Sequence, residues 1–418
     1  MKIAKLHTNQ SSRDIAIMFM LSLFFPILGL IFSFFIYRDK IAKNFFWLFC
    51  SFLGLIQIFC PEGTVLGEGI DGGRYALELI YMHNNIDSLT QFLGTLYNES
   101  ELDIYQPILT YFVSRFTDNP HWLFFVFAIV FGYFYSRNIW YLFDKLPSKF
   151  PKILWIVIVY YILICPIWNI NGVRMWTALH IFVYGAMPYI LEKKTKSIGW
   201  CFLSVFVHFS FIVPLLILIV YRLFYIKHII LLFIFYIVSL FVKTINWNFL
   251  RDLLSNISFL QAKTSYLSEE YIEVIESRQY AWHVLLAEDV SYWVIQILIF
   301  ISFYLYCKDR INWSECLKNL YSFSLFIYSI SNVMSSIPSG SRFLIVSKMF
   351  MLPFIILLLA NNLYGKKKSI LLFYIPLIFS IIFQIRTGLD YYGIMLFIGN
   401  FITASFIVSD VPLINYIK

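Results

Sequence analysis

The amino-acid sequence predicts an all-α, polytopic integral membrane protein with about 12 transmembrane helices, because it repeats apolar runs of roughly 20 residues, each able to cross a bilayer. Composition supports this fold class. Of the 418 residues, 60% are hydrophobic and only 13% are charged, and the mean hydropathy is +0.75. A soluble domain of this length needs far more polar surface. The strict alternation of an outer-membrane barrel is absent from the sequence.

The apolar runs predict one transmembrane domain over residues 1–418. The first run follows a basic N-terminus, but it is longer than the h-region of a signal peptide and lacks a small-residue cleavage site. We therefore expect it to be a retained span. The six cysteines lack C-x-x-C spacing and indicate neither a zinc site nor a disulfide framework. The predicted spans are 15–37, 43–61, 119–143, 153–170, 172–191, 198–221, 228–243, 286–306, 317–336, 343–364, 369–386 and 391–410.

Lysine and arginine collect in short connections, which the positive-inside rule places in the cytoplasm. Their clustering also accounts for the net charge of +8, which is therefore no indication of nucleic-acid binding. Two long connections are predicted to be external. Residues 62–118 carry nine acidic side chains against two arginines and include amphipathic segments, and residues 244–285 form a second acidic loop with one amphipathic helix.

Simple alternation of sides fails once along the chain. The lysines at 193–196 and the loop at 244 cannot lie on opposite sides if runs 198–221 and 228–243 both cross the membrane completely. We predict that run 198–221 is broken near His208, Phe209 and Ser210, so that it enters and leaves on one side. Non-helical backbone at membrane depth is tolerated where it is buried in protein or lines a wet cavity. The charge pattern therefore places a cavity at His208.

Three arginines lie beside predicted spans, in the external half of this map. Arg174 follows Asn171-Gly172, which suits a tight turn or a helix start. Arg342 follows a Pro/Gly-containing turn and opens a late span. Arg386 is followed four residues later by Asp390. Two of these arginines have a structural alternative: Arg174 could extend to the membrane interface, and Arg386 could pair with Asp390. Together they suggest guanidinium groups that bind phosphate oxygens in a bidentate manner.

Candidate proton acceptors are fewer. His208 lies deep in its run, and a neutral imidazole there could accept a hydroxyl proton. Asp71 is the second choice, in a glycine-rich segment that we expect to be a loop, where Arg74 and Glu78 could also contact a sugar hydroxyl. The alternative for these charges is a solvated loop. His180 lies on a different helix face from Arg174, and we expect a structural role for it.

These motifs resemble the EpsG-like branch of the Wzy-type polysaccharide polymerases. The similar features are, in order, the segment from Gly69 to Tyr75, Tyr105-Gln106-Pro107, Asn-Gly-Val-Arg174 with Thr177-Ala178, Val207-His208-Phe209-Ser210, Arg342, and Tyr391-Tyr392-Gly393. The usual family loop carries Glu-Pro where this chain has Gln106-Pro107, so an acidic role there would require Asp103 to substitute.

The resemblance implies a GT-C-like membrane glycosyltransferase in the bacterial plasma (inner) membrane, with its active site facing outside. Such an enzyme transfers a glycan from undecaprenyl diphosphate to a lipid-linked repeat unit, producing O-antigen, capsule or exopolysaccharide. Neither a cofactor nor a metal is expected. We assign the diphosphate to Arg174, Arg342 and Arg386, the base to His208 or Asp71, and the glycan to Arg74, Glu78 and Tyr105.

The expected partners are undecaprenyl-diphosphate-linked oligosaccharide, membrane lipid, and chain-length regulator and flippase proteins. Two alternatives for the function are a glycan ligase with the same chemistry and a transporter of polysaccharide or lipid-linked sugar, although no internal repeat typical of transporters is found. A membrane acyltransferase is a third alternative, but a convincing Arg-x-x-x-His or His-x-x-x-Asp pair is missing from the sequence.

Overall fold

The computed structural model describes residues 11–59, 71–98, 103–224, 228–242, 282–308, 313–337, 339–361, 374–406 and 411–416, and no strand occurs in them. A single isolated antiparallel bridge joins Gln57 and Tyr392. Most of the predicted second external loop, including its acidic helix, lies outside the described residues. The described chain is therefore all-helical, as the composition predicts.

The helices of the N-terminal half are α1 (Ser12–Phe24), α2 (Pro26–Phe35), α3 (Ala42–Leu55), α4 (Asp71–Asn85), α5 (Leu89–Asn98), α6 (Tyr105–Ser114), α7 (Pro120–Lys145), α8 (Leu154–Ile162), a 3₁₀ turn (Ile167–Gly172) and α9 (Val173–Glu192). The next helices are α10 (Ile198–Val207), α11 (Ile212–Leu223) and α12 (Ile229–Leu240), with 3₁₀ turns at Thr195–Ser197 and Phe209–Phe211. The C-terminal part contains α13 (Trp282–Lys308), α14 (Glu315–Met334), α15 (Arg342–Ala360), α16 (Tyr374–Gly388), α17 (Met395–Ile398), α18 (Phe401–Ala404) and a 3₁₀ turn (Leu413–Tyr416).

Four helical segments in the described part of the chain are long and apolar enough to cross a membrane: Pro120–Lys145, Leu154–Glu192, Glu288–Lys308 and Arg342–Ala360. Other apolar helices are shorter. Helix α12, for example, has 12 residues, which rise only about 18 Å against a hydrocarbon core of about 30 Å. The long segments support a membrane-embedded helical protein, and the described short helices do not by themselves reach the length of a full crossing.

Three predicted spans are wrong as continuous helices. Run 15–37 is divided at Phe25, whose backbone is extended (φ −134°, ψ 79°), because the ring of Pro26 cannot continue a helix but suits the first position of a new one. In run 391–410, of which residues 391–406 are described, the helical residues form two four-residue helices, α17 and α18, separated at Gly399 and Asn400. The Asn400 side chain accepts hydrogen bonds from Ile402 N and Thr403 N and so starts the second helix. Run 153–170 also ends early, because α8 stops at Ile162.

Helices α3 and α7 pack closely against each other. A Cβ atom at Gly54 would lie 2.2 Å from the Ala128 Cβ and 2.5 Å from the Phe124 carbonyl oxygen, so the two backbones approach more closely than any larger residue permits. Small residues allow such close helix contacts in membranes, where dispersion and hydrogen bonds replace the hydrophobic driving force. Phe124 and Phe127 on α7 are fully buried and extend this contact into the central apolar core.

Helix α9 defines two ends of the bundle: the Arg174 end, where this helix begins, and the Lys193 end, where it finishes. Helix α10 runs back along it, since the Cys201 thiol donates to the Phe182 carbonyl (3.6 Å) and the Ser210 hydroxyl contacts Met175 Sδ (3.7 Å). The helix then breaks at His208, whose backbone is extended (φ −150°, ψ 116°). The predicted break near His208 is confirmed, and it lies at the Arg174 end.

Helix α11 returns from this break to the Lys193 end. The Arg222 guanidinium lies 5.9 Å from the ring centroid of Tyr189, and the Tyr189 carbonyl in turn accepts a hydrogen bond from the Lys193 backbone. Helices α10 and α11 therefore form a hairpin that starts and finishes at one end of α9, as the charge pattern predicts. Its tip contains His208.

Single cysteines introduced at Lys193 and Arg222 test this hairpin. In a cysteine-free background, we expect a membrane-impermeant maleimide to label both positions from the same side of the membrane. Both residues lie near the same turn of α9, although a complete crossing would separate them. Labelling from opposite sides would contradict the hairpin.

Helix α15 runs in the same direction as α9. Helix α14 starts at the Lys193 end, where the Cys316 thiol donates to the Leu191 carbonyl (3.2 Å), and α15 runs back against α14 through the Phe323–Phe350 contact (5.0 Å). Phe350 also touches Phe182 on α9 (6.0 Å). Arg342 precedes Phe350 by as many residues as Arg174 precedes Phe182. The two arginines therefore lie at the same level of two parallel helices.

Candidate functional site

A buried carboxylate connects the two residues that the sequence singles out most strongly. Asp103 is 1% exposed, and its Oδ2 accepts a hydrogen bond from His208 Nδ1 at 2.7 Å. The same oxygen lies 3.4 Å from Arg174 Nη1. The other oxygen, Oδ1, accepts the backbone N–H of Phe209 at 2.7 Å. Arg174, Asp103 and His208, which we call the Asp103 cluster, come from three separate parts of the chain.

The local backbone explains why these groups meet. The 3₁₀ turn Ile167–Gly172 ends where α9 begins, so Arg174 lies in the first turn of α9, as predicted. The break at His208 starts a new helical segment at Phe209, whose N–H has no acceptor within that segment. Asp103 supplies the acceptor from a distant part of the sequence. It therefore caps the new segment and holds the His208 ring at the same time.

Asp103 is ionised at neutral pH. Its burial alone would raise the pKa, but the hydrogen bonds from His208 and Phe209 and the nearby positive charge of Arg174 lower the pKa of Asp103 from 3.8 to about 2. An ionised carboxylate can only accept hydrogen bonds, so Nδ1 of His208 must carry the proton. Nε2 of a neutral His208 is then the acceptor, and it makes no hydrogen bond to any other described residue. The His208 side chain is 21% exposed.

The start of α4 packs beside this cluster. Gly72 approaches the 3₁₀ turn before α9 so closely that a Cβ there would lie 2.5 Å from Asn171 Oδ1. The buried Tyr75 interacts with Arg174, and burial, partly offset by the charge of Arg174, raises the pKa of the Tyr75 phenol. Asp71 pairs with Arg74 at 2.9 Å, with about half of each side chain exposed. The predicted glycine-rich loop is thus wrong from Asp71 onward, where α4 already begins.

Glu78 and Gln106 form a second polar contact near the cluster. The buried Gln106 donates from Nε2 to Glu78 Oε2 at 2.9 Å and to Thr110 Oγ1 at 3.0 Å. Glu78 therefore contacts Gln106 directly, whereas Asp103 precedes Gln106 by three residues in sequence. Tyr105 is half-buried, and its hydroxyl faces Thr177 on α9 rather than Asp103.

A comparison with protein-family models matches most of the chain. A model of the EpsG family, a family of Wzy-like polysaccharide-polymerase-type proteins, matches residues 67–402. The chain belongs to the EpsG family. No curated protein and no solved structure matches the chain. The matched range includes the Asp103 cluster, α4 and all three arginines of the sequence analysis.

In this EpsG-family chain, the other two arginines lie at the same end of the bundle as the Asp103 cluster but do not join it. Arg342 is exposed, and its guanidinium makes no hydrogen bond or ion pair with another described residue. Arg386 pairs with Asp390 at 3.1 Å, which is the structural alternative weighed for it. Its helix ends against Trp168 of the 3₁₀ turn, because a Cβ at Gly388 would lie 3.2 Å from that ring.

His180 has the structural role expected for it. The ring is completely buried, its Nε2 lies 3.0 Å from the Cys165 carbonyl oxygen, and its own carbonyl accepts a hydrogen bond from Asn138 at 2.9 Å. It packs against Phe131 at 4.6 Å between ring centroids. These contacts hold α7 and α9 together. Within the described residues, no group of three or more His, Cys, Asp or Glu side chains is arranged for a metal ion.

Asp103 is the member of the Asp103 cluster that the sequence-based candidate site does not include. Nothing in its immediate neighbours distinguishes it from the other acids of residues 62–118. The available signal was indirect and came from the resemblance, which implies an acid where this chain has Gln106, and Asp103 is the nearest carboxylate before Gln106. Its partners are more than 70 residues away in sequence, so only the fold reveals the contact.

Proposed function

We propose that this protein is a membrane glycosyltransferase that polymerises undecaprenyl-diphosphate-linked oligosaccharide repeat units on the external face of the bacterial plasma membrane. Membership of the EpsG family supports a polysaccharide-polymerase-type activity. The observation that carries the chemical proposal is the Asp103 cluster. It combines a guanidinium, a buried ionised carboxylate and an imidazole with a free acceptor nitrogen.

In the proposed reaction, a hydroxyl oxygen of the acceptor glycan forms a bond to the anomeric carbon of the donor glycan. The bond between that carbon and the diphosphate oxygen breaks, and the electron pair leaves with the lipid diphosphate. His208 Nε2 takes the hydroxyl proton, so the products are the longer lipid-linked glycan, the free lipid diphosphate and a protonated imidazole. The ionised Asp103 stabilises that imidazolium and fixes the ring.

The arginines serve the leaving group in this proposal. Charge develops on the diphosphate as the glycosidic bond breaks, and fixed donors aimed at such charge make the largest contribution in many enzymes. Arg174 is held by Asp103 through one Nη atom, and its planar fork presents five N–H donors. Arg342 lies at the same level of the bundle and Arg386 at the same end, where we assign both to the same diphosphate.

The glycan side of the proposal involves α4 and α6. Arg74, Glu78 and Tyr105 lie on these helices beside the Asp103 cluster, where we assign them to the sugar chain. For removal of the hydroxyl proton, His208 is a better candidate base than Asp71. Asp71 is already paired with Arg74 at the exposed start of α4. Neither a metal nor a cofactor is required by the reaction as written. Chain-length regulator and flippase proteins are proposed partners in the membrane, and about 12 membrane crossings in a GT-C-like arrangement are part of this proposal.

A reconstituted reaction tests the function directly. Purified protein in proteoliposomes is supplied with undecaprenyl-diphosphate-linked repeat units, and the products are separated by glycan length. We expect a ladder of longer lipid-linked glycans together with free undecaprenyl diphosphate, without a nucleotide sugar. Movement of intact repeat units across the bilayer without any lengthening would instead identify a transporter. Transfer only to a different lipid or protein acceptor would identify a ligase.

A further inference from the structure

A second polar site lies at the same end of the bundle, away from the Asp103 cluster. A cavity of about 270 Å³ opens between the ends of α12, α13 and α14. Its lining consists of Ser239, Leu240, Val242, Tyr292, Asn332, Ser335 and Ser336. None of these side chains carries a charge at neutral pH. This volume holds several water molecules and so exceeds the space needed by a single ion.

The serine hydroxyls of this cavity are already committed as donors. Ser335 Oγ donates to the Asn332 carbonyl at 2.7 Å, Ser336 Oγ donates to the Val333 carbonyl at 2.7 Å, and Ser239 Oγ donates to the Tyr236 carbonyl at 2.6 Å. Each hydroxyl has one proton but two lone pairs. The serines therefore present acceptors, not donors, to whatever enters the cavity.

Asn332 also presents an acceptor rather than a donor to the cavity. Its Nδ2 donates to Ser239 Oγ at 3.0 Å, so the amide nitrogen is directed toward the wall. Its Oδ1 accepts no hydrogen bond from another described residue, and Tyr292 adds an aromatic ring to the lining. A wall of acceptors beside an aromatic ring suits a neutral ligand that is rich in O–H donors. It disfavours a phosphate or carboxylate, which at neutral pH offer mainly lone pairs.

Buried polar groups continue inward from the cavity. Tyr236 is completely buried and Gln296 is 2% exposed, yet the Tyr236 hydroxyl and Gln296 Oε1 have no hydrogen-bond partner among the described residues. Tyr236 contacts Tyr328 at 6.1 Å between ring centroids, and the Tyr328 hydroxyl accepts from Gln296 Nε2 at 3.4 Å. Unsatisfied polar atoms are costly in an apolar interior, so this region is built for polar contents.

We propose that the cavity lined by Ser239, Tyr292, Asn332, Ser335 and Ser336 binds a neutral sugar residue of the lipid-linked glycan. This site rests on the proposed function and adds a second, uncharged binding region to it. In the proposed function Arg174, Arg342 and Arg386 hold the diphosphate, whereas the acceptor wall of this cavity holds sugar hydroxyls. The two regions lie at one end of the bundle, because α12 and α14 both run toward the Arg174 end and α13 runs away from it.

Two probes separate these regions. One is the repeat oligosaccharide released by mild acid from the lipid-linked pool of the host, and the other is inorganic pyrophosphate. Binding to full-length protein is measured calorimetrically in nanodiscs, since detergents with sugar headgroups would compete. We expect wild-type protein to bind both probes. The double variant Ser335→Ala/Ser336→Ala should bind the oligosaccharide at least about tenfold more weakly, because it loses two acceptors, and should bind pyrophosphate normally.

Ser329→Ala is the matched control. Ser329 lies on the same helix and also donates to a backbone carbonyl (Leu325, 2.7 Å), but it does not line the cavity. It should leave oligosaccharide binding unchanged. Tyr292→Ala provides a second cavity variant, for which we expect a similar loss of oligosaccharide binding. Retained pyrophosphate binding and an unchanged unfolding temperature show that each variant is folded.

The outcomes are distinct for the two proposals. Normal oligosaccharide binding by both cavity variants would overturn the sugar site and leave the polymerase proposal intact. The same holds if wild-type protein binds pyrophosphate but no oligosaccharide. Failure of the polymerase proposal appears separately, as an absence of glycan lengthening in proteoliposomes.

Discussion

Replacing Arg174 with alanine is expected to lower the rate of glycan lengthening by about 10²–10³, the loss typical for removing one donor that stabilises developing charge. In cells, lipid-linked single repeat units should accumulate on the external face. Arg174 is held at the start of α9 by Asp103, so its guanidinium is already positioned before substrate arrives. Glycan length on gels and the side on which the repeat units accumulate provide the measurement.

Matched variants make this result specific. Arg222→Ala removes an arginine from the Lys193 end of the same bundle, and it should leave lengthening unchanged. Arg174→Lys keeps a point charge but loses the planar fork, so it should recover only part of the activity. Accumulation of repeat units on the cytoplasmic face would favour a flippase. Normal polymer from Arg174→Ala would contradict the assignment.

Replacing Asp103 with asparagine is expected to cost about 10²–10⁴ in rate, the range typical for general acid–base catalysis, although Asp103 itself touches no substrate in our proposal. An amide can donate to His208 Nδ1, so it no longer enforces the tautomer with a free Nε2 acceptor. It also cannot stabilise the imidazolium. His208→Ala should show a loss of similar size, and the exposed His228 at the start of α12 offers a matched control in His228→Ala.

The pH dependence of stability distinguishes this role from a loss of packing. The folded pKa of Asp103 lies below its ordinary value of 3.8, at about 2, so its charge adds stability above about pH 4. That contribution is lost as the pH falls through about 2. Thermal unfolding in nanodiscs should therefore show a loss of stability between pH 4 and 2 in wild type that is smaller in Asp103→Asn. Identical slopes, or full activity in Asp103→Asn, would contradict the positioning role.

Much of the site could be predicted because charge and helix rules act locally. Asn171-Gly172 marks the start of α9, and the short basic connections require a turn at His208. Contacts between distant segments produce no comparable signal in the local sequence. Asp103 looks like any other acid of its region, and its meeting with His208 depends on how α6 and the hairpin pack against α9.

The errors have equally local causes. The runs at 15–37 and 391–410 are apolar throughout, so hydropathy treats each as one helix. Pro26 and Asn400 override hydropathy, one by removing a donor and the other by capping a new helix. The glycines before Tyr75 suggested a loop, but Gly72 serves the close approach of α4 to the turn before α9. Composition alone cannot distinguish a glycine in a loop from a glycine at a close contact between helices.

The hairpin of α10 and α11 starts and finishes at the same end of α9. A segment that departs from and rejoins the same side leaves the orientation of every later helix unaltered. It can therefore be lengthened, shortened or exchanged among relatives without inverting the rest of the molecule in the membrane. The frame of α7, α9, α14 and α15 therefore keeps its insertion order and its sidedness whatever the length of the hairpin.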